Sequence, residues 1–430
     1  MSYRSELEKI ESLFRKTYLI EDVGVIKLLC AAVIANRMPA DPFWMFIAGP
    51  SGAGKTELIT SLNKVVDIKA LSTVTSKTFI SGKKAKDGGE SSLLHQIRNG
   101  ILTFKDWTTM LSLPHEERQA IMSQFREIYD GTLTRSYGTG ETIQWNGKLG
   151  LIAGVTSVIH MARELYAAMG ERFVIYSMIL PDRIEIARRS MGNIMTIKDQ
   201  RAEIQDAMHY YLDTIIGYPT TIPKIDERMK EELLFLAEFS TRARSPVERE
   251  WKSPQKDITF VHPPEVPTRF SAQLMILASA LQVLNEGPLL DIDRHIIFKI
   301  ALDSISDTRR LAIRNLTKYE EVESSGLAAR LNYPTNTTRR WLEDLNALEV
   351  VERIKTKGTA DRWRMVEKYR VLVAKYENLK TEGRELTLET ADPVTEEDVE
   401  AAILAKIEAD ATSAQSTLLS VERDAFSDHS

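Results

Sequence analysis

The feature that most constrains this chain is a glycine-rich loop at residues 47–56, Ile-Ala-Gly-Pro-Ser-Gly-Ala-Gly-Lys-Thr. An apolar run at residues 43–48 precedes it and predicts a buried strand, and a helical pattern follows over residues 57–66. Backbone N–H groups can wrap a polyphosphate only where glycines leave room and adopt positive φ. The sequence therefore predicts a nucleotide-binding loop made of Gly49, Pro50, Ser51, Gly52, Ala53, Gly54, Lys55 and Thr56.

Two side chains of this loop have roles that its chemistry sets. We expect Lys55 to reach the β- and γ-phosphates of a nucleotide. We expect the hydroxyl of Thr56 to bind Mg²⁺. ATP and Mg²⁺ are therefore the predicted cofactors.

The composition of the chain is that of a soluble protein with room for two or three domains in its 430 residues. No apolar run approaches the ~18–20 residues of a membrane span, and the N-terminus lacks the apolar region of a signal peptide. The single cysteine, Cys30, excludes disulfides within the chain and lies in an apolar helical segment, as a core residue would. We expect a cytoplasmic protein with no membrane partner.

The net charge of −5 is unevenly distributed. Residues 381–430 hold thirteen acidic and three basic side chains, a net of −10, which leaves about +5 for residues 1–380. A mildly basic body permits a nucleic-acid partner. The acidic tail could bind a protein partner.

A second phosphate-site motif lies at residues 100–106, an apolar strand that ends in Asp106. This pattern is typical of a Walker B segment, whose aspartate holds the Mg²⁺ hydration shell. The usual next residue in active ATPases of this type is Glu, but here it is Trp107. One interpretation is that Asp106 activates water and Lys105 replaces the metal-holding carboxylate. Otherwise the base comes from elsewhere, and the candidates are Glu90, Glu116 and Glu117.

Weaker patterns follow this strand in a characteristic order, and each predicts one element. They are a helix at 115–130, a β-hairpin at 131–145 with a small-residue tip at 137–140, a strand at 148–156, and a strand at 174–180 after Glu171-Arg172-Phe173. This succession resembles the AAA+ ATPases. It is most similar to the branch with a hairpin before sensor 1, which includes the MCM replicative helicases and phage or plasmid relatives.

The resemblance implies roles for individual residues. Thr156 would be the sensor 1 group that faces the γ-phosphate, where the family more often has Asn. Arg172 would be the arginine finger that reaches the nucleotide of a neighbouring subunit. The hairpin would point at DNA in a central channel, with contacts from Arg135, Tyr137 and Thr139.

The resemblance also implies a helical lid after the core. Its last helix would supply sensor 2, for which Arg244 is the preferred residue and Arg242 the alternative. Either arginine could instead be a cation that stabilises the helix C-terminus. The Pro-rich, charged segment at residues 245–268 reads as a linker.

Residues 318–372 form the second informative unit. Two short helical patterns at 324–332 and 337–348 flank a turn, and residues 350–365 alternate around Gly358. This resembles a winged helix-turn-helix, in which the second helix enters the major groove and the wing touches the backbone. The predicted DNA contacts are Arg339, Arg340, Lys355 and Lys357.

The predicted fold class is thus α/β, an AAA+ P-loop core with a helical lid, a helical segment and a winged helix-turn-helix. The predicted domains are an ATPase core with N-terminal helices at 1–190, a lid at 191–250, a linker with helices at 251–317, a winged helix at 318–372 and an acidic, largely disordered tail at 373–430.

The function that these features favour is a ring-forming AAA+ motor on DNA, a helicase or translocase of a phage or mobile element. The resemblance implies a homo-oligomer, a hexamer, with hydrolysis at subunit interfaces. The missing Glu after Asp106 favours an alternative, an ATP-switched initiator, helicase loader or transcription regulator that binds DNA through the winged helix. A protein-remodelling ATPase of host defence is a third class.

Overall fold

The computed structural model describes residues 2–20, 22–75, 77–80, 92–97, 99–137, 140, 142–156, 159, 172–180, 182–250, 256–355 and 357–377. All of them belong to one compact unit, Met1–Leu386. The predictions for Glu90, for Thr139 and for the acidic tail beyond residue 377 lie outside the described residues.

The first part of the chain is built around a parallel sheet. Its helices are α1 (Tyr3–Tyr18), α2 (Val23–Arg37), α3 (Lys55–Thr60), α4 (Leu93–Ile97), α5 (Thr108–Leu111), α6 (His115–Tyr129), α7 (Arg183–Gly192) and α8 (Ile197–His209). Its strands are β1 (Trp44–Ala48), β2 (Ile68–Leu71), β3 (Gly100–Phe104), β4 (Thr132–Ser136), β5 (Thr142–Asn146), β6 (Leu149–Val155) and β7 (Phe173–Ser177).

The second part is mainly helical. Its helices are α9 (Glu227–Arg244), α10 (Thr268–Asn285), α11 (Asp291–Asp303), α12 (Asp307–Leu316), α13 (Ser324–Leu331), α14 (Thr335–Ala347) and α15 (Glu367–Glu377). Its strands are β8 (Val247–Arg249), β9 (Ile258–Val261), β10 (Val322–Glu323), β11 (Val351–Ile354) and β12 (Arg362–Met365). None of the helices in the described part of the chain combines the length and apolar composition that crossing a bilayer requires.

Five parallel strands form the central sheet in the order β2-β3-β6-β1-β7. Every residue of β1 and β6 is buried, as expected for a parallel sheet covered on both faces. Ala48 at the end of β1 pairs with Val155 of β6, and Phe104 at the end of β3 pairs with Ala153. The α/β class is therefore confirmed, and the carboxyl ends of these three strands meet at one edge.

The two faces of the sheet bury different side chains. Trp44 and Phe46 of β1 contribute to an aromatic cluster with Trp107, Phe125 and Phe173. Met45 and Ile47 alternate to the opposite face and join the larger core. That larger core includes α2, whose side chains are mostly apolar and buried around the helix, as expected for a helix packed on all sides.

The helical lid predicted at residues 191–250 is interrupted in the structure. Helix α8 continues into a π-helical segment, Tyr210–Ile216, which ends at Gly217 with φ +65°. Pro219 and Pro223 follow, and proline lacks the N–H that a continuing helix needs. The helix resumes only at Glu227.

The segment predicted as a linker at 245–268 contains regular structure. β8 and β9 pair there as an antiparallel ribbon with an irregularity at Glu248/Arg249. Arg249 of this ribbon donates to Asp344 of α14 at 2.9 and 2.7 Å. The ribbon therefore anchors α14, together with Arg309 of α12, which contacts the same carboxylate at 3.2 Å.

A buried ionic cluster holds the end of β7. The Ser177 N–H donates to Asp303 at 2.7 Å, and the Lys299 ammonium lies 2.6 Å from the same carboxylate. Arg310 contacts its other oxygen at 2.8 Å. Burial alone would raise the pKa of Asp303, but the charges of Lys299 and Arg310 outweigh burial and leave this pKa below its usual value.

Replacing Asp303 with Ala leaves the Lys299 ammonium, whose side chain is 4% exposed, without its carboxylate. We expect the free energy of unfolding to fall by about 3–5 kcal/mol, measured by urea denaturation. Asp307→Ala is the matched control, because Asp307 also contacts Arg310 but is 49% exposed, and it should cost less than about 1 kcal/mol. Equal losses in the two variants would contradict a stabilising role for the buried cluster.

Candidate functional site

The loop between β1 and α3 has the backbone conformation that its glycines permit. Gly52 and Gly54 lie at φ +83° and +87°, where a side chain would strain the backbone. At the start of the loop, the Gly49 N–H donates to the Val155 carbonyl of β6 at 3.2 Å. The loop is thus fixed to the carboxyl edge of the sheet at one end and to α3 at the other.

Gly154 of β6 allows the neighbouring segments to approach closely. A Cβ at this position would lie 2.7 Å from the Lys105 carbonyl oxygen and 3.5 Å from Cβ of Lys55. The Gly154 carbonyl accepts a hydrogen bond from the Trp107 N–H at 2.7 Å. The segment that carries Asp106 and the first turn of α3 therefore meet across this glycine.

The Lys55 side chain is folded into the loop. Its Nζ donates to the Gly49 and Pro50 carbonyls, each at 2.6 Å. The residue is 9% exposed, and this burial lowers the pKa of Lys55, although nearby Asp106 opposes the shift. The ammonium is therefore held by two loop carbonyls, which a phosphate could replace as acceptors.

Asp106 and Thr156 lie beside this loop. Oδ1 of Asp106 accepts from the Thr108 N–H at 2.8 Å, which fixes the turn after β3. The Thr108 and Thr156 hydroxyl oxygens are 3.3 Å apart. The structure thus brings the predicted residues Lys55, Asp106 and Thr156 together around one cavity.

Trp107 points away from that cavity. It is 2% exposed, and its ring lies 5.0 Å from Phe104 and 5.2 Å from Phe125, centroid to centroid. A side chain at this position contributes to the aromatic core, so the cavity receives no carboxylate from it. Glu116 and Glu117 occupy the first turn of α6 and are not among the residues that line the cavity.

The cavity has a volume of about 570 Å³. Four basic and two acidic side chains line it, so its formal charge of +2 complements the −2 of a magnesium–ATP complex. The basic residues are Lys55, Lys105, Arg189 and Arg201, and the acidic ones are Glu57 and Asp106. Uncharged polar and apolar side chains form the rest of the wall, and the apolar ones could cover a base; these include Leu19, Ile20, Met178, Met191 and Ile194.

Helices α7 and α8 with the turn between them (residues 183–209), called the lid below, close one side of this cavity. They bring in two arginines that the sequence did not predict. Nη1 of Arg189 donates to the Lys16 carbonyl at 2.9 Å, and Arg201 pairs with Glu57. Asp182 caps α7 by accepting from the Ile184 N–H at 2.8 Å. This cap followed by a helical pattern was the sequence signal that a helix begins at 183, before the predicted lid at 191.

Arg244 and Arg242, proposed for sensor 2, lie away from the cavity. Arg244 is 7% exposed, contacts Glu265 at 3.1 Å and stacks 4.7 Å from the Phe270 ring centroid. Arg242 pairs with Glu238 at 2.7 Å and with Glu349 at 2.6 Å. Neither is among the residues that line the cavity.

Arg172 lies at the amino-terminal ends of the parallel strands, whereas the phosphate loop follows the carboxyl end of β1. It immediately precedes β7, whose first residue pairs with Trp44 at the start of β1. Its guanidinium contacts Asp130 at 2.9 Å and lies 5.3 Å from the Tyr129 ring centroid. Arg172 is therefore unable to reach the cavity of its own chain.

The β4–β5 ribbon rests on the segment before residue 81. Nη1 of Arg135 and the hydroxyl of Tyr137 both donate to the Ile80 carbonyl, at 3.3 and 3.1 Å. Both side chains are half-buried. The predicted contact residue Thr139 lies outside the described residues, so the ribbon is defined up to Tyr137 and from residue 142.

The remaining predicted DNA contacts lie on α14 and on the β11–β12 turn. Arg339, Lys355 and Lys357 are exposed, and Arg340 is half-buried. Because Asp344 ties the C-terminal half of α14 to the body of the protein, the exposed part of this helix is its N-terminal half.

If Asp106 helps to hold Mg²⁺, Asp106→Asn should abolish most of the effect of Mg²⁺ on ATP affinity. In the wild-type protein we expect Mg²⁺ to strengthen ATP binding by roughly tenfold over EDTA, measured by titration calorimetry. Asp206→Asn is the control, because this acidic side chain of α8 is 64% exposed and lies outside the cavity lining. A full Mg²⁺ effect in Asp106→Asn would contradict the assignment.

Comparisons with known proteins do not identify a family for this chain. No family model matches the sequence, and no curated protein matches it. One solved structure detected as similar is "The A form apo structure of NrS-1 C terminal region-CTR(305-718)". It is 11% identical, the match covers 84% of this chain and 75% of that chain, and the TM-score is 0.26.

Proposed function

We propose that this protein is an ATP-hydrolysing motor that acts on DNA, a helicase or translocase of the AAA+ class. The observation that carries the proposal is the cavity at the carboxyl edge of the sheet. There the phosphate loop, Asp106 and Thr156 lie around a space with a formal charge of +2. This combination supports binding of a magnesium-bound nucleoside triphosphate.

ATP and Mg²⁺ would bind in a defined orientation. The N–H groups of the loop and Lys55 would hold the β- and γ-phosphates, and Thr56 with Asp106 would hold the hydrated metal. The apolar wall at Met191 and Ile194 would cover the base. Thr156, next to Thr108, would face the γ-phosphate as the sensor 1 residue.

Hydrolysis requires a base and stabilisation of the charge that develops on the phosphates. Because Trp107 is buried and Asp106 would hold the metal, the base would come from elsewhere in the site. The lid cations Arg189 and Arg201 are better placed than Arg244 to contact a phosphate, because they line the same cavity.

A ring of subunits would complete the site. Arg172 lies at the sheet edge opposite its own phosphate loop, which supports a role toward a neighbouring subunit. To act as an arginine finger it would have to exchange Asp130 for the neighbour's nucleotide. A homo-oligomer, a hexamer by resemblance, is therefore part of the proposal.

DNA would be contacted at two places. The β4–β5 ribbon, with Arg135 and Tyr137, would face a single strand in the channel. The unit formed by α13, α14 and the β10-β12-β11 sheet has the element order of a winged helix, and Arg339, Lys355 and Lys357 are exposed on it.

A second candidate function is an ATP-switched DNA-binding protein, such as an initiator, a helicase loader or a transcription regulator. The burial of Trp107 favours it, because the position after Asp106 cannot supply the glutamate that supports rapid turnover. In this case the winged helix would recognise a duplex site and nucleotide binding would control assembly.

Steady-state ATP hydrolysis separates these functions. For a motor we expect hydrolysis that single-stranded DNA stimulates several-fold and that Lys55→Ala abolishes. Arg135→Ala should reduce the stimulation without lowering the basal rate, whereas Arg339→Ala, on the winged helix, should leave stimulation by single strands unchanged. Tight ATP binding with negligible hydrolysis, unaffected by DNA, would contradict the motor and support the switch.

A further inference from the structure

One side of the cavity contains a carboxylate that already holds a lid arginine. Glu57 directly follows Thr56 in α3, and its side chain is 18% exposed. Both oxygens take part: Nε of Arg201 donates to Oε2 at 2.9 Å, and Nη2 of Arg201 donates to Oε1. The Tyr18 hydroxyl also donates to Oε2, at 2.9 Å. Arg201 and Glu57 therefore form a bidentate ion pair within the cavity.

Three other lid side chains donate to backbone carbonyls of neighbouring segments, and Asp206 of α8 pairs with the Lys64 ammonium at 2.6 Å. Nδ2 of Asn193 donates to the Thr17 carbonyl at 2.7 Å, and Nε2 of Gln205 donates to the Thr60 carbonyl at 3.0 Å. Arg189 likewise donates to a backbone carbonyl of α1. Arg201 therefore differs from the other lid contacts, because its partner is an anionic side chain beside the phosphate loop.

A phosphate group can compete with the Glu57 carboxylate for the Arg201 guanidinium. The guanidinium group fits a carboxylate and a phosphate with the same paired N–H donors. The cavity brings Arg201 and Glu57 to the same space as Lys55 and Thr56. A bound polyphosphate would repel Glu57 and attract Arg201, and the Tyr18 hydroxyl would remain as a partner for the released carboxylate.

We propose that Glu57 and Arg201 form a latch that a nucleoside triphosphate opens, with Arg201 moving from the carboxylate to the terminal phosphates. The inference rests on the proposed nucleotide site and adds its regulation. Arg201 lies on α8 and Glu57 on α3, so the exchange changes the contact between the lid and the phosphate loop. A nucleotide without terminal phosphates offers Arg201 no comparable partner and leaves the latch closed.

A double-mutant cycle tests the latch in the full chain, with ATP and AMP affinities measured by calorimetry at constant Mg²⁺. Glu57→Gln removes the competing charge and should tighten ATP binding about tenfold, whereas Arg201→Gln should weaken it about tenfold. AMP affinity should change little in either variant. In the double variant the gain from Glu57→Gln should disappear, because it acts through Arg201.

Two further variants make the outcome interpretable. Arg201→Lys keeps the charge without the paired donors and should fall between the wild type and Arg201→Gln. Arg188→Gln is the matched control, since Arg188 is an exposed α7 arginine, paired with Glu185, that does not line the cavity. It should bind ATP as the wild type does.

Several results would overturn the latch. They are an unchanged ATP affinity in Arg201→Gln, a gain from Glu57→Gln that persists in the double variant, and equal effects on ATP and AMP. Lys55-dependent ATP binding together with any of these results would reject the latch and leave the nucleotide site standing. A wild-type protein that binds no ATP would reject both.

Discussion

The insertion of β6 between β1 and β3 determines the geometry of the candidate site. Backbone hydrogen bonds on both sides of β6 hold the phosphate loop and the Asp106 segment at the same edge of the sheet. Gly154 lets these two segments approach closely, because a Cβ at this position would collide with the Lys105 carbonyl. The cavity of the candidate site and its charge depend on this arrangement.

The end of β7 links the cavity to the helical part of the protein. The Ile179 N–H donates to Asp22 at 3.1 Å, and Ile179 lines the cavity. Two residues earlier, Ser177 is bound to Asp303, which also contacts Arg310 of α12. Arg309 of α12 contacts Asp344 of α14, so α12 has polar contacts both to the residue that holds the end of β7 and to the helix predicted to bind DNA.

The sequence was sufficient to predict those parts of the structure that depend on local residue patterns. A buried strand followed by glycines at fixed spacing predicts the loop, and the positive φ of Gly52 and Gly54 is its structural counterpart. The positions of Arg189 and Arg201 depend on how α7 and α8 pack on α1 and α3, which no local pattern encodes. The β8–β9 ribbon was missed because its short strands lie among prolines and charges, which are typical of a linker.

In the proposed function, the cavity binds ATP through the phosphate loop. Equilibrium dialysis of labelled ATP against the full chain and against Lys55→Ala tests it most directly. We expect one ATP bound per chain, with an affinity that the substitution lowers by at least about tenfold. Absence of binding, or binding that Lys55→Ala leaves unchanged, would contradict it.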